Sequence, residues 1–155
     1  MGAMTDFFEN KLLDFLFRGQ ALGVGGASAA AGTGPAAVYI GLLTAAPADG
    51  TAGTEVAGGA YARVAVASSL ANWSGTQGAA TTTASSGTSG TTTNNAAITF
   101  PAPTAAWGTV THVGIYDAAS GGNLLLYSAL GTPKTPNIGD PPAFAVSALS
   151  YRIDD

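Results

Sequence analysis

The sequence lacks cysteine, has few charged residues and contains no long apolar run. Without cysteine the chain can form neither a disulfide nor a thiolate metal site, although this absence fits a reducing and an oxidising compartment alike. No apolar run approaches the ~20 residues that a transmembrane helix needs. Asp6 and Glu9 also stand where a signal peptide carries positive charge. We therefore expect a protein that is made in the cytoplasm and has no membrane partner.

Charged residues make up 9% of the chain, and only five of them are basic. These are Lys11, Arg18, Arg63, Lys134 and Arg152. Because they are scattered, the chain has no basic stripe that could neutralise the phosphates of a nucleic acid. We expect no nucleic-acid partner. A length of 155 residues fits one compact core, and a composition rich in Ala, Gly, Ser and Thr argues against long charged helices.

One helix is predicted, from Thr5 to Phe17. Thr5 and Asp6 can cap its start, and Gly19 can end it. Apolar residues recur at the three- and four-residue spacing of an amphipathic helix. They are Phe8, Leu12, Phe15 and Leu16, with Leu13 and Phe17 widening the stripe. A helix this short is not stable alone, so we expect it to dock on a partner or on copies of itself.

The rest of the chain divides into a connector and a β-rich part. Residues 20–35 are mostly Gly and Ala, a composition typical of a flexible linker. The predicted domains are therefore a docking helix (1–19), this linker (20–35) and a β-sandwich domain (36–155). Period-two patterns and short apolar runs predict six strands. They are Ala37–Leu43, Tyr61–Val66, Ala96–Phe100, Val110–Tyr116, Leu124–Leu130 and Ala143–Ile153.

No helical pattern lies between these strands, which excludes a parallel sheet with crossover helices. The prediction is a mainly β fold, an antiparallel sandwich that is jelly-roll-like, with one N-terminal amphipathic helix. Residues 74–95 form a low-complexity loop of Thr, Ser, Gly and Ala. A loop of this length is unusual inside a compact domain, so we expect it to be either disordered or ordered by a neighbour.

No constellation of catalytic residues emerges. His112 is the only histidine, and strand alternation puts Asp117 on the opposite face, so a metal site is disfavoured. No strand-turn-helix elbow presents a nucleophilic serine, and the Gly clusters lack the Lys and Ser/Thr of a phosphate loop. We predict a non-enzymatic protein with no catalytic residues, no metal and no cofactor.

Large aromatic residues could stack on sugars, as a receptor-binding domain would require. The candidates are Trp73, Trp107, Tyr61, Tyr116 and Tyr127. One large aromatic residue per strand is also ordinary core filling, and we favour that interpretation. Trp107 lies among turn residues and is the best candidate for surface recognition.

Short motifs in a fixed order cover most of the chain. They include Glu9-Asn10-Lys11-Leu12-Leu13-Asp14, Val38-Tyr39-Ile40-Gly41-Leu42-Leu43, Gly53-Thr54-Glu55-Val56, Trp107-Gly108-Thr109-Val110-Thr111-His112-Val113-Gly114-Ile115-Tyr116-Asp117 and Gly121-Gly122-Asn123. With these motifs the chain resembles a family of small tailed-bacteriophage virion structural proteins often labelled phage tail fibre protein. The linker and the Ser/Thr stretch from residue 74 to residue 90 are longer than is usual in that family.

The resemblance implies a structural place in the virion and no enzymatic activity. Expected partners are other virion proteins of the capsid, neck or tail, and the expected assembled form is a homo-oligomer such as a trimer. An accessory position on the particle exterior, as a capsid decoration or a neck or tail-fibre subunit, suits a weakly charged sandwich with a docking helix. A glycan-binding module of a tail fibre is the alternative. The predicted docking residues are Phe7, Phe8, Leu12, Phe15 and Leu16.

Overall fold

The computed structural model describes residues 4–23, 34–48 and 50–153. Within these residues the fold is mainly β, with antiparallel strands and one N-terminal helix, as the sequence predicted. The elements are α1 (Asp6–Arg18), β1 (Ala37–Ala45), β2 (Thr54–Glu55), β3 (Val64–Ala67), β4 (Thr91–Thr93), β5 (Ile98–Thr99), β6 (Val110–Tyr116), β7 (Leu124–Lys134), β8 (Ala143–Phe144) and β9 (Ser150–Arg152). The 13-residue α1 is too short to cross a membrane, and no other helix lies in the described part of the chain.

The bounds of α1 follow its capping residues. Thr5 occupies the N-cap position with an extended backbone, although its side chain makes no capping hydrogen bond. Gly19 ends the helix with φ 65°, a left-handed conformation that glycine adopts without steric cost, and its N–H donates to the carbonyl of Asp14. Both predicted ends are therefore correct to within one residue.

The largest sheet has the order β2-β1-β6-β7, and β3 also pairs with β1. β1 and β6 are its central strands and run antiparallel, with Leu42 opposite Val113 and Gly41 opposite Gly114. Each strand has four consecutive buried residues, 40–43 in β1 and 113–116 in β6, which fits burial on two faces. β6 has the predicted bounds, whereas β1 and β7 continue beyond their predicted ends.

Two small sheets pair β4 with β9 and β5 with β8. The predicted strand Ala143–Ile153 is divided into β8 and β9 because the chain turns between them, where Ser147 has φ 60°. The buried side chain of Asn94 holds this turn: its amide donates to the carbonyl of Ala145 (2.8 Å) and its oxygen accepts from the N–H of Leu149 (2.9 Å).

The contacts divide the chain into two compact units. The first combines α1 with residues 67–98 and with the C-terminal residues from 144 onward, and the second comprises residues 38–66 and 99–143. The predicted division at residues 19 and 35 separated the helix from everything that followed. That division stays a prediction. Residues 1–3 and 24–33, the latter most of the predicted linker, lie outside the described residues.

Candidate interaction surfaces

The N-terminal end of α1 carries exposed aromatic side chains. Phe7 is 61% exposed and Phe8 is 37% exposed, and the ammonium of Lys11 lies 5.9 Å from the centre of the Phe7 ring. The other three residues predicted to dock on a partner are half-buried: Leu12, Phe15 and Leu16. An outward-facing Phe pair on a short helix is an unusual exposed apolar feature.

The opposite face of α1 belongs to the core of the first unit. Leu13 and Phe17 are fully buried. The ring of Phe17 lies 4.8 Å from that of Trp73 and 5.9 Å from that of Tyr151, centre to centre. This face of the helix therefore packs against its own chain, because Phe17 fills a core that later segments build.

A buried ion pair joins this helix to the low-complexity segment. Arg18 is fully buried, and its guanidinium donates to the carboxylate of Asp14 (2.7 Å), to the carbonyl of Trp73 (3.0 Å) and to the carbonyl of Thr83 (2.5 Å). The N–H of Ser85 donates to the other carboxylate oxygen of Asp14 (2.8 Å). The planar guanidinium can bind these acceptors together because its N–H groups point in several fixed directions.

Asn10 makes a second connection one turn earlier. Its amide nitrogen donates to the carbonyl of Gly87 (3.0 Å), and its oxygen accepts from the hydroxyl of Thr76 (2.6 Å). The Thr76 oxygen in turn accepts from the N–H of Gly87 (2.9 Å). The low-complexity segment 74–95 is therefore ordered by polar contacts with α1 of the same chain. Neither disorder nor a neighbouring protein is needed to account for it.

Trp107 lies in the core of the second unit and does not form a surface site. It is 4% exposed, its indole N–H donates to the carbonyl of Gly59 (2.9 Å), and its ring meets that of Tyr61 edge-on at 5.3 Å. The turn residues around Trp107 suggested exposure, but the turns fold over the ring. Its proposed role in recognition is corrected, since a sugar could not reach the indole face.

A polar cluster that the sequence did not predict braces the same unit. The guanidinium of Arg63 makes two hydrogen bonds of 2.7 Å with the carboxylate of Glu55 and stacks 3.4 Å above the ring centre of Tyr116. Its other terminal nitrogen, Nη1, donates to the carbonyls of Ala118 (2.7 Å) and Gly121 (2.8 Å). Arg63 thereby ties β2 to the loop that joins β6 and β7.

Hydrogen bonding and burial shift several pKa values around this cluster. The hydrogen bond with Glu55 raises the pKa of Arg63, so Arg63 stays positively charged. Burial raises the pKa of Tyr116 and also that of Tyr61, whose hydroxyl donates to Glu55 (2.8 Å). These groups stay in one protonation state near neutral pH and act as structural partners.

The β6–β7 loop is closed by Asp117. Its two carboxylate oxygens accept from the backbone N–H and the side-chain amide of Asn123, each at 2.7 Å. These hydrogen bonds lower the pKa of Asp117, which is otherwise solvent-exposed. The loop therefore presents a fixed negative charge beside the start of β7.

β7 presents apolar side chains to solvent. Leu125 is 39% exposed and Tyr127 is 47% exposed. Together with Thr51 and Asn123 they line an open groove of about 440 Å³. The sequence included Tyr127 among the aromatic candidates but did not separate it from the core residues, because one alternating strand does not reveal which of its faces is covered.

His112 is half-buried on β6, opposite Leu43 of β1 and Ala129 of β7. Its Nδ1 lies 2.9 Å from the hydroxyl of Thr111. Within residues 4–23, 34–48 and 50–153, no three His, Asp or Glu side chains come together in a way that could hold a metal ion. The histidine therefore has a local structural partner.

One comparison with known proteins identifies a family. The model of the family described as "Podophage GP4 fiber I protein gp80" matches residues 3–152, almost the whole chain. No curated protein matches the chain. The match covers α1, the low-complexity segment and all nine strands described above.

Proposed function

This chain belongs to the podophage fibre I protein family, and from that premise we propose that it is an accessory subunit on the exterior of the phage particle. It is a structural component of a virion, of the tail-fibre type. We further propose that the chain attaches to the particle through the end of α1 and has no enzymatic role. The exposed side chains of Phe7 and Phe8 support attachment through this end.

Phe7 and Phe8 can anchor the chain because the rest of α1 holds them rigidly. Phe17 and Arg18 fix the C-terminal half of the helix inside the first unit, so its N-terminal turn projects two phenyl rings without a cost in ordering the backbone. Burying an exposed phenyl side chain in a pocket of another protein contributes about 2 kcal/mol. We propose that another virion subunit, of the neck, tail or capsid, supplies that pocket.

The attachment is tested by replacing both rings with serine. The Phe7→Ser/Phe8→Ser variant is supplied to an infection that lacks the native chain, and its copy number in purified particles is measured. We expect incorporation to fall at least about tenfold, since two apolar anchors are lost. Deleting residues 1–19 is not a clean test, because it removes Phe17 from the core.

Ile138→Ser is the matched control, since Ile138 is 65% exposed and lies in the second unit. It removes an equally exposed apolar side chain from a different surface, and incorporation should not change. Both variants should melt within a few degrees of the native chain. Normal incorporation of the double variant would show that α1 is not the attachment point.

Two positions on the particle suit such a subunit. One is a capsid decoration site, where copies clamp neighbouring capsomers, and the other is a neck or tail-fibre site. The description of the matched family, which names a fibre protein, favours the second. Labelling intact particles with an antibody against the chain and viewing them by electron microscopy separates the two, because the label lies on the head in one case and on the tail in the other.

A glycan-binding role is the second candidate, and exposed Tyr127 beside the groove with Thr51 and Asn123 is the observation that favours it. An aromatic face next to hydroxyl and amide groups suits a sugar ring. The test is binding of the intact assembled protein to host surface polysaccharide, with Tyr127→Ala as the variant. Equal binding by native protein and variant, or no binding at all, would remove this candidate.

A further inference from the structure

The groove beside Tyr127 has an uncharged lining. Thr51, Asn123 and Tyr127 supply a hydroxyl, an amide and an aromatic ring, and the other described residues of the lining carry no charge either. Proteins bind the carboxylate or phosphate group of a ligand mainly with Arg and Lys side chains. The described lining offers neither, so it suits the hydroxyl groups and apolar ring faces of an uncharged sugar.

An ionised carboxylate stands at one end of this groove. It belongs to Asp117, since a Cβ added to Gly122, a residue of the lining, would collide with the Asp117 Oδ1 atom. The backbone N–H and the side-chain amide of Asn123 each donate to this carboxylate at 2.7 Å. The same hydrogen bonds lower the pKa of Asp117, so the group is negative near neutral pH. They also occupy the backbone N–H of Asn123, which is then not free to bind an anionic ligand.

The cation that contacts this loop does not cancel the charge of Asp117. Arg63 donates from Nη1 to the carbonyl of Gly121 (2.8 Å), but its Nε and Nη2 atoms donate to the two carboxylate oxygens of Glu55, each at 2.7 Å. The Arg63 side chain is only 6% exposed. A guanidinium that is buried and paired in this way is not available to a ligand. One guanidinium beside two carboxylates leaves one negative charge unbalanced, next to the groove.

We propose that this groove selects uncharged sugars and that Asp117 is the specificity-determining residue, which excludes sugars that carry a carboxylate or a phosphate group. The inference rests on the glycan-binding candidate above and adds the chemical class of the ligand. Like charges repel each other over about 10 Å at 0.1 M salt. An acidic sugar at this end of the groove would lose hydration without gaining a cation, whereas an uncharged sugar has no charge to desolvate.

The test compares acidic polysaccharides with their own uncharged forms. A panel of uronic-acid polysaccharides from bacterial surfaces is used before and after carboxyl reduction, which turns each carboxylate into a primary alcohol and leaves the linkages unchanged. We expect the full-length chain to bind reduced forms at least about threefold more tightly at about 0.01 M salt. This preference should disappear at about 1 M salt, where the charge of Asp117 is screened within about 3 Å.

Asp117→Asn is the variant that tests the residue itself. Its amide oxygen can still accept a hydrogen bond from Asn123 but carries no charge, so both forms of each polysaccharide should bind equally well. Asp140→Asn is the matched control, because it removes an exposed carboxylate of the same unit that does not line the groove. It should keep the full preference for reduced forms. Circular dichroism checks that both variants are folded.

The outcomes separate the specificity from glycan binding itself. Equal or tighter binding of the acidic forms by the native chain, or a preference that persists in folded Asp117→Asn, would overturn the role of Asp117 and leave glycan binding in place. No binding of either form of any polysaccharide would remove the glycan-binding candidate and this inference with it. If Asp117→Asn does not fold, the salt dependence of the native chain decides, and a preference unchanged at about 1 M salt would overturn the proposal.

Discussion

Gly41 of β1 lies directly opposite Gly114 of β6, and the ring of Tyr116 covers both. A Cβ added to Gly41 or to Gly114 would come within 2.7 or 2.9 Å of the same ring carbon, Cε2 of Tyr116. The guanidinium of Arg63 stacks on that ring at 3.4 Å. The two glycines therefore provide the space in which the Tyr116 ring lies flat enough to support Arg63, which in turn braces the β6–β7 loop.

Replacing Gly41 with alanine should destabilise the chain. The added methyl group overlaps the Tyr116 ring and approaches Glu55, so we expect a loss of about 1–3 kcal/mol in the free energy of unfolding, measured by urea denaturation. In the Tyr116→Leu background the same substitution should cost less, because the ring atom it meets is gone. An equal cost in both backgrounds would mean that the ring does not set the space above Gly41.

Removing the buried cation of α1 should be more damaging. Arg18→Met leaves the Asp14 carboxylate without its charge partner in a buried site and frees the carbonyls of Trp73 and Thr83, so we expect a loss of about 3 kcal/mol or more. Thermal or urea unfolding measures it. Lys11→Ala on the same helix is the control and should stay within about 0.5 kcal/mol. Similar losses for the two variants would contradict the assigned role of Arg18.

The low-complexity segment should depend on Asn10. In Asn10→Ala the Thr76 hydroxyl and the Gly87 carbonyl both lose a partner, so the segment should open locally at a cost of about 1–3 kcal/mol. Hydrogen exchange of the Gly87 amide reports that opening, and it should become about tenfold or more faster while core amides of β6 stay protected. Unchanged exchange at Gly87 would mean that α1 does not order this segment.

The β6–β7 loop should loosen in acid. Hydrogen bonds from Asn123 lower the pKa of Asp117 below its ordinary value of 3.8, so the carboxylate stabilises the folded loop at every pH above that value. This stabilisation is lost as the pH falls through the lowered pKa of the folded state. An NMR titration of the Asn123 amide should therefore show its midpoint below 3.8, and Asp117→Asn should abolish the transition. A midpoint at or above 3.8 would contradict the assignment.

His112→Ala should leave assembly and infectivity unchanged. Its ring contacts the hydroxyl of Thr111, so its loss should cost no more than about 1 kcal/mol, the contribution of a single local hydrogen bond. Complementation of an infection with the variant gene measures the result. A folded variant that enters particles but fails to infect would indicate a chemical role for this histidine.

The sequence predicted those parts of the fold in which apolar residues follow a regular period. The bounds of α1 and β6 are examples, since capping residues mark the helix and the apolar run that ends at Tyr116 marks a central strand. β4 was missed because it consists of three threonines, so no apolar pattern marks it. Periodicity also does not reveal that Asp14 and Arg18 are buried. Their spacing of four residues is the one that solvent-exposed ion pairs on a helix usually have.

The candidate surfaces were predicted less well for a related reason. A helix with apolar residues on more than one side does not reveal which side its own chain covers, so Leu13 and Phe17 were counted in one stripe with Leu12 although they fill the core. Phe7 and Phe8 are exposed, and their role as docking residues stays a prediction. Trp107 shows the converse, because turn residues around it fold inward.

Attachment of the chain through α1 can be observed in a cryo-electron microscopy reconstruction of the intact particle. We expect density for this chain at a fixed exterior position, with Phe7 and Phe8 of α1 seated in a pocket of a neighbouring virion subunit. Density that shows the chain attached through another surface, with both phenyl rings in solvent, would contradict the attachment. Absence of the chain from infectious particles would contradict its place as a virion component.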